Sequence, residues 1–199
     1  MEGNMVEIEL PNPEELEDKR RNSFSKKVAL FTAIYAVILA ICALGGNNSM
    51  KEMLLAQQEA GNQWAFYQAK NIREYLYRIE KDRLETQIVE RGDTMKPAAL
   101  KHYKAKIQNV SAEEARLSKD KQVISLEAKK QEHERDVNRA KDPYFDFGEV
   151  LLQIAIVMSS VSIISNSRPV FIFSIGAAVV GSLVTLNGFL LLFKVPFLH

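Results

Sequence analysis

The sequence has little cysteine, glycine or proline. Among 199 residues there are one cysteine, nine glycines and six prolines. The single cysteine, Cys42, excludes an intramolecular disulfide, and since it lies in an apolar run we interpret it as a small hydrophobic residue. Glycine and proline are especially scarce between residues 46 and 146, which leaves long segments of good helix formers.

The sequence also lacks the patterns that carry catalysis. Its three histidines, His102, His133 and His199, are far apart, and no phosphate-binding glycine loop or metal-ligand spacing is present. The net charge of +1 gives no reason to expect nucleic acid as a partner. We therefore expect a protein that is not an enzyme and needs no cofactor or metal.

Three apolar runs stand out against this background, at residues 28–45, 147–164 and 170–193. A helix of about 20 apolar residues crosses a bilayer, so each run predicts a transmembrane helix. The alternative for the first run is a cleaved signal peptide, but its length and long leader favour an uncleaved span. We expect an all-α membrane protein with a polar N-terminal tail, 1–27, and one extramembrane segment, 46–146.

Basic residues in the short segments predict the orientation. Arg168 lies between the second and third runs, and five residues precede the first: Lys19, Arg20, Arg21, Lys26 and Lys27. Because basic residues in short loops stay on the cytoplasmic side, the N-terminus should be cytoplasmic and 46–146 outside. Pro11 and Pro13 are expected to block a long helix in the tail, which is either free or a short helix on the membrane surface.

The extramembrane segment has one strong break, Gly92-Asp93 followed by Pro97. The break, near 92–97, predicts two helices of nearly equal length, roughly 48–91 and 97–141. Each would be about 65 Å long. Two such helices joined by a tight turn predict a long antiparallel helical hairpin between the first and second spans.

Apolar stripes predict how the two helices pair. Ala65, Ile72 and Ile79 recur every seven residues on the first helix, and Val110, Leu117 and Ile124 do so on the second, with Glu114 and Lys121 interrupting. Folding the chain at the break sets Ile79 opposite Val110, Ile72 opposite Leu117 and Ala65 opposite Ile124. We therefore predict a coiled-coil-like seam with these three pairs.

Two further groups are candidates for contacts. The aromatic residues Trp64, Phe66 and Tyr67 cover more than one helical face, so they are either core residues with some chance exposure or a partner-binding surface. Small residues in the spans predict close packing of helices within one chain and between subunits. The candidates are Ala36, Ala40, Ser159, Ala177, Gly181 and Gly188.

Two stretches of the chain resemble a known family. They are NSMKEMLLAQQEAGNQWAFYQAKNIREYLYRI from Asn48 and FDFGEVLLQIAIVMSS from Phe145. Together they resemble the bacterial domain-of-unknown-function family 4337 over nearly the whole chain, and Gln63–Lys70 is the specific part. The resemblance implies three spans in a bacterial inner membrane, and it implies no activity. Together with the orientation predicted from the basic residues, an inner membrane would put the hairpin in the periplasm.

These observations predict a structural or interaction protein in contact with membrane lipid. It would form homo-oligomers or be a small subunit of a larger membrane complex, and it would present its hairpin to partners. The alternative is an oligomeric channel or transporter, in which the polar face of the third span lines a pore and Glu149 lies near its mouth.

Overall fold

The computed structural model describes residues 13–193, with side chains from Glu17 onward. This part of the chain contains three α-helices: α1 (Pro13–Arg91), α2 (Pro97–Ser165) and α3 (Arg168–Leu190). A single 3-10 turn, Gly92–Thr94, lies between α1 and α2, and there is no strand within 13–193. The prediction of an all-α protein is confirmed.

Helix α1 begins earlier than the sequence predicts. The segment 13–27, expected to be a tail or a separate short helix, is part of α1, which runs without interruption to Arg91. Pro13 is the first helical residue, a position where the missing N–H costs nothing and the fixed φ is already helical. Pro13 therefore starts the helix, whereas the sequence argument has it blocking one. Residues 1–12, with Pro11, lie outside the described residues.

Local chemistry accounts for both breaks between helices. After α1, the Met95 N–H donates to the Gly92 carbonyl at 3.3 Å, and Pro97 is the first residue of α2. After α2, Asn166 has a φ of 48°, a left-handed conformation that asparagine tolerates. The Ser167 N–H then donates to the Ser162 carbonyl at 3.1 Å, which satisfies a carbonyl at the helix end.

The chain divides into two compact units. We call them the apolar unit, Met1–Met50 with Arg139–His199, and the charged unit, Lys51–Asn138. Each of the three helices contains a stretch long and apolar enough to cross a membrane. Large side chains such as Leu30, Val37 and Leu44 are exposed on the apolar unit, as expected for helices that are apolar on all sides.

Within the apolar unit, α2 and α3 approach closely at two glycines. A Cβ at Gly181 would lie 3.1 Å from side-chain atoms of Leu151 and Leu152 and 3.2 Å from the Gly148 carbonyl oxygen. A larger residue would therefore displace the backbone of α2. The rest of this buried face of α3 consists of small residues: Ser174, Ala178, Thr185 and Gly188. Small residues allow this close packing of helices in lipid.

The predicted packing residues are divided between the inside and the outside of this unit. Ser159, Gly181 and Gly188 are buried, and Ala177 packs against the core. Ala36 and Ala40 are exposed. A different face of α1 is buried, because the Cys42 Sγ donates to the Phe145 carbonyl at 3.3 Å and accepts a hydrogen bond from Thr185 Oγ1 at 3.2 Å.

Candidate interaction surface

In the charged unit, α1 and α2 contact each other through a series of polar side chains. As residue numbers rise along α1, those of the contacting residues fall along α2. Trp64 Nε1 donates to Glu132 at 2.9 Å, Lys70 to Asp120 at 2.7 Å, Arg78 to Glu114 at 3.1 Å, and Lys106 to Glu80 at 2.7 Å. Charged side chains therefore supply much of the specific contact between the two helices.

One face of α1 meets α2, and we call it the inner face. Its residues alternate at three- and four-residue spacing, and each is buried or half-buried: Ala60, Gln63, Tyr67, Lys70, Glu74, Tyr77, Lys81 and Leu84. The facing residues of α2 repeat in the same way: Val110, Glu114, Leu117, Lys121, Ile124 and Ala128. This spacing is that of a coiled coil, although on α1 most of the residues are polar.

The least exposed ion pair joins Glu74 and Lys121, whose side chains are 9% and 14% exposed. Lys121 also donates to Asn71 Oδ1 at 2.7 Å, and its Nζ lies 5.4 Å from the centroid of the Tyr67 ring. Glu74 accepts a second contact from Arg78 at 3.3 Å. Because both side chains are largely buried, removing one charge would leave the other poorly compensated.

The structure differs from the predicted seam on the α1 side. Val110 and Leu117 are buried and Ile124 is half-buried, but Ala65, Ile72 and Ile79 are exposed on the face of α1 opposite the inner face. The interruptions in the α2 stripe explain the difference. Glu114 and Lys121 require charged partners across the contact. Arg78 and Lys81 supply them for Glu114, and Glu74 supplies one for Lys121, which an Ala/Ile stripe would not do.

The three aromatic candidates lie in different environments. Trp64 is half-buried, with its indole N–H bonded to Glu132, and its ring meets that of half-buried Tyr67 edge-on at 5.5 Å between centroids. Phe66 is 61% exposed. Of the three, Phe66 is thus the most exposed, whereas Trp64 and Tyr67 contribute to the contact between α1 and α2.

Ion pairing shifts the pKa values of several groups on this unit. The hydrogen bond from Lys106 lowers the pKa of Glu80, and that from Lys70 lowers the pKa of Asp120. The hydrogen bond to Glu114 raises the pKa of Arg78. All of these shifts favour the charged forms, so the contacts are strongest when the carboxylates are ionised.

No group of three or more His, Cys, Asp or Glu side chains that could hold a metal ion occurs in the described part of the chain. His102 and His133 are exposed on α2, and His199 lies outside the described residues.

These features define an all-helical protein with three helices capable, by length and composition, of crossing a membrane. The chain belongs to the family described as a domain of unknown function, DUF4337, which matches residues 24–191. The match confirms the resemblance carried by the two stretches quoted above. No curated protein and no solved structure matches the chain.

Proposed function

We propose that the protein is an integral membrane structural or interaction protein. On this proposal it self-associates or is a small subunit of a larger membrane complex. It holds 46–146 outside the bilayer as an antiparallel, coiled-coil-like hairpin and presents that hairpin to partners. The opposite running order of the α1–α2 contacts, from Trp64–Glu132 to Glu80–Lys106, supports the hairpin.

One observation carries the proposal. The charged unit uses charged side chains for many of its internal contacts, beside buried apolar ones such as Leu117. It leaves large apolar side chains exposed on α1, among them Phe66, Ile72, Tyr75 and Leu76 at 60% or more. A soluble helical pair normally has the reverse arrangement, with its apolar stripe inside. Ile72, Tyr75 and Leu76 are within one turn of α1, and a contiguous exposed apolar surface is typical of a site that contacts another protein.

We further propose a bacterial inner-membrane location, with the N-terminus in the cytoplasm and the hairpin in the periplasm. Arg20, Arg21 and Arg168 line one cleft at the N-terminal ends of α1 and α3. The Phe24 and Phe31 rings meet the Phe171 ring, at 5.8 and 5.5 Å between centroids, next to this cleft. This arrangement supports placing the basic residues before the first span and Arg168 on the same side of the membrane. The positive-inside rule assigns that side to the cytoplasm.

The test is native mass spectrometry of the tagged chain purified from its membrane, with Phe66→Ala and Val123→Ala compared with wild type. Val123 is the matched control, because it is 68% exposed on α2. We expect wild type to carry a second copy or another protein, Phe66→Ala to lose that mass, and Val123→Ala to retain it. A wild-type chain that is a monomer without companions would contradict the proposal.

The rival proposal is an oligomeric channel or transporter. It requires the Ser, Thr and Gly face of α3 to line a pore, yet Gly181 and Thr185 of that face are buried within one chain. Glu149, its acidic entrance, accepts a hydrogen bond from Gln153 at 3.0 Å. Both observations favour the interaction protein. Ion flux in liposomes that contain the purified protein would favour the channel.

A further inference from the structure

The side of α1 opposite its inner face carries an apolar stripe that no described residue covers. We call it the outer stripe: Ala65, Ala69, Ile72, Leu76 and Ile79, all exposed. Successive members are four, three, four and three residues apart, which is the spacing of the a and d positions of a heptad repeat. Burying such a stripe against a similar one is favourable, because the free energy gained is proportional to the apolar area removed from water.

Asn62, which precedes the outer stripe, indicates the heptad register of the stripe. Asn62 lies seven residues before Ala69 and fourteen before Leu76, so all three occupy a positions. Asn62 is exposed on α1. A single asparagine at an a position typically favours a parallel, two-stranded pair, because two asparagines then face each other and satisfy their hydrogen bonds. If two copies are anchored in the same membrane, the α1 helices of both emerge from it on the same side. Their outer stripes would therefore run in the same direction.

The flanks of the stripe suit this pairing. In a parallel pair, each g residue faces an e residue five positions later on the other helix. This places Gln68 opposite Arg73 of the second copy, Tyr75 opposite its Glu80, and Asp82 opposite its Gln87. None of these pairs brings together like charges. Each also combines a hydrogen-bond donor with an acceptor.

Gly61 provides a further indication. It lies in the interior of α1, where glycine is destabilising relative to alanine, and nothing lies within 4 Å of the position its Cβ would occupy. No contact within the described chain therefore requires glycine there. In the parallel pair the exposed ring of Phe66 from the second copy faces this position, and glycine leaves room for it.

We propose that the outer stripe is the dimerisation surface of the protein, and that it pairs in parallel and in register with the outer stripe of a second copy. The inference deepens the proposed function and rests on it, since it names the partner as another copy of the chain. Each α1 would then contact α2 through its inner face and the second α1 through its outer stripe.

The first experiment compares Ile72→Glu with Val123→Glu by native mass spectrometry in detergent. The two side chains are similarly exposed, at 62% and 68%, but only Ile72 belongs to the stripe. We expect Ile72→Glu to weaken the dimer at least about a hundredfold, because it places two carboxylates opposite each other. Val123→Glu should remain dimeric. Trp64 fluorescence, from the single tryptophan, checks that both variants keep the native fold.

The second experiment tests the register by disulfide formation in membrane vesicles. Ala65→Cys and Ile79→Cys are made separately in a Cys42→Ser background, with Val123→Cys as the control. A parallel, in-register pair places each new cysteine next to its copy, so both variants should form covalent dimers and the control should not. An antiparallel pair centred on Ile72 would separate the copies of either cysteine by about 20 Å.

The outcomes separate this inference from the proposed function. A wild-type dimer that survives Ile72→Glu, or that forms neither disulfide, overturns the inference and leaves the proposed function in place. A wild-type chain that purifies with a different protein and without a second copy has the same consequence. A monomer without companions overturns both.

Discussion

The apolar and charged units hold their helices together by different means. In the apolar unit, helices approach closely through small residues, such as Gly148 and Gly181, and through the hydrogen bonds of Cys42 and Thr185. In the charged unit, long side chains such as Lys121 and Glu74 meet between the helices. In lipid, apolar residues gain nothing from leaving their surroundings, and backbone approach is what holds helices together. Where water replaces lipid, long charged side chains can reach across while their stems cover apolar surface.

The largest expected effect is on the close approach in the apolar unit. Gly181→Leu places a side chain against Leu151, Leu152 and the backbone of Gly148. We therefore expect a loss of about 3 kcal/mol or more in the free energy of unfolding. Gly176→Leu on the same helix is the control, because nothing lies within 4 Å of its Cβ position. The measurement is the thermal unfolding midpoint in detergent by gel filtration. Equal midpoints for the two variants would contradict the close approach.

The second expected effect is on the inner face of the charged unit. Lys121→Glu puts a carboxylate beside Glu74 and removes the contact with the Tyr67 ring, so we expect a loss of about 1–3 kcal/mol. Urea unfolding followed by Trp64 fluorescence measures it. Lys130→Glu, at a side chain that is 63% exposed, should change little. Adding Glu74→Lys to Lys121→Glu restores opposite charges and should recover part of the loss; no recovery would contradict the pairing.

The two units also differ in how much of them the sequence could predict. Apolar runs long enough to cross a bilayer predicted helices, and α1 ends and α2 begins at the break that the sequence has at Gly92–Pro97. The hydrophobic pattern could not identify the face of α1 that meets α2. The stripe of Ala65, Ile72 and Ile79 satisfies the heptad rule better than the inner face does. The signal that could have identified the inner face was the pair of charges in the α2 stripe, Glu114 and Lys121, which need charged partners.

The helix starts and the buried side of the first span were hard to predict for related reasons. Pro13 has opposite effects at the first position of a helix and in its interior, and the sequence does not indicate which position it takes. The alanine stripe of Ala36 and Ala40 suits close packing, yet the face with Cys42 is buried because Thr185 and the Phe145 carbonyl lie across from it. The buried face of α1 depends on partners more than 100 residues away in the sequence. The effect of Pro13 depends on the residue at which the helix begins.

The smallest expected effect concerns pH and the exposed ion pairs of the charged unit. The pKa values of Asp120 and Glu80 are lowered by hydrogen bonds from Lys70 and Lys106, so these carboxylates bind protons less readily in the folded chain than in the unfolded one. Their contribution to stability is therefore complete above the unfolded pKa values, near 3.8 and 4.5, and is lost as the pH falls through the folded ones. Both pairs are partly exposed to solvent, which screens them, so the change should be modest.

Urea midpoints of the Trp64 signal between about pH 6 and about pH 3 would measure this loss. A variant with Asp120→Asn and Glu80→Gln should have a lower midpoint at the upper end of the range and a shallower fall towards the lower end, because two of the titrating groups are gone. The remaining slope reports the other titrating groups of the protein. If the double variant titrates like wild type, the exposed pairs contribute nothing measurable, and the contact between the helices of the charged unit depends on its less exposed residues.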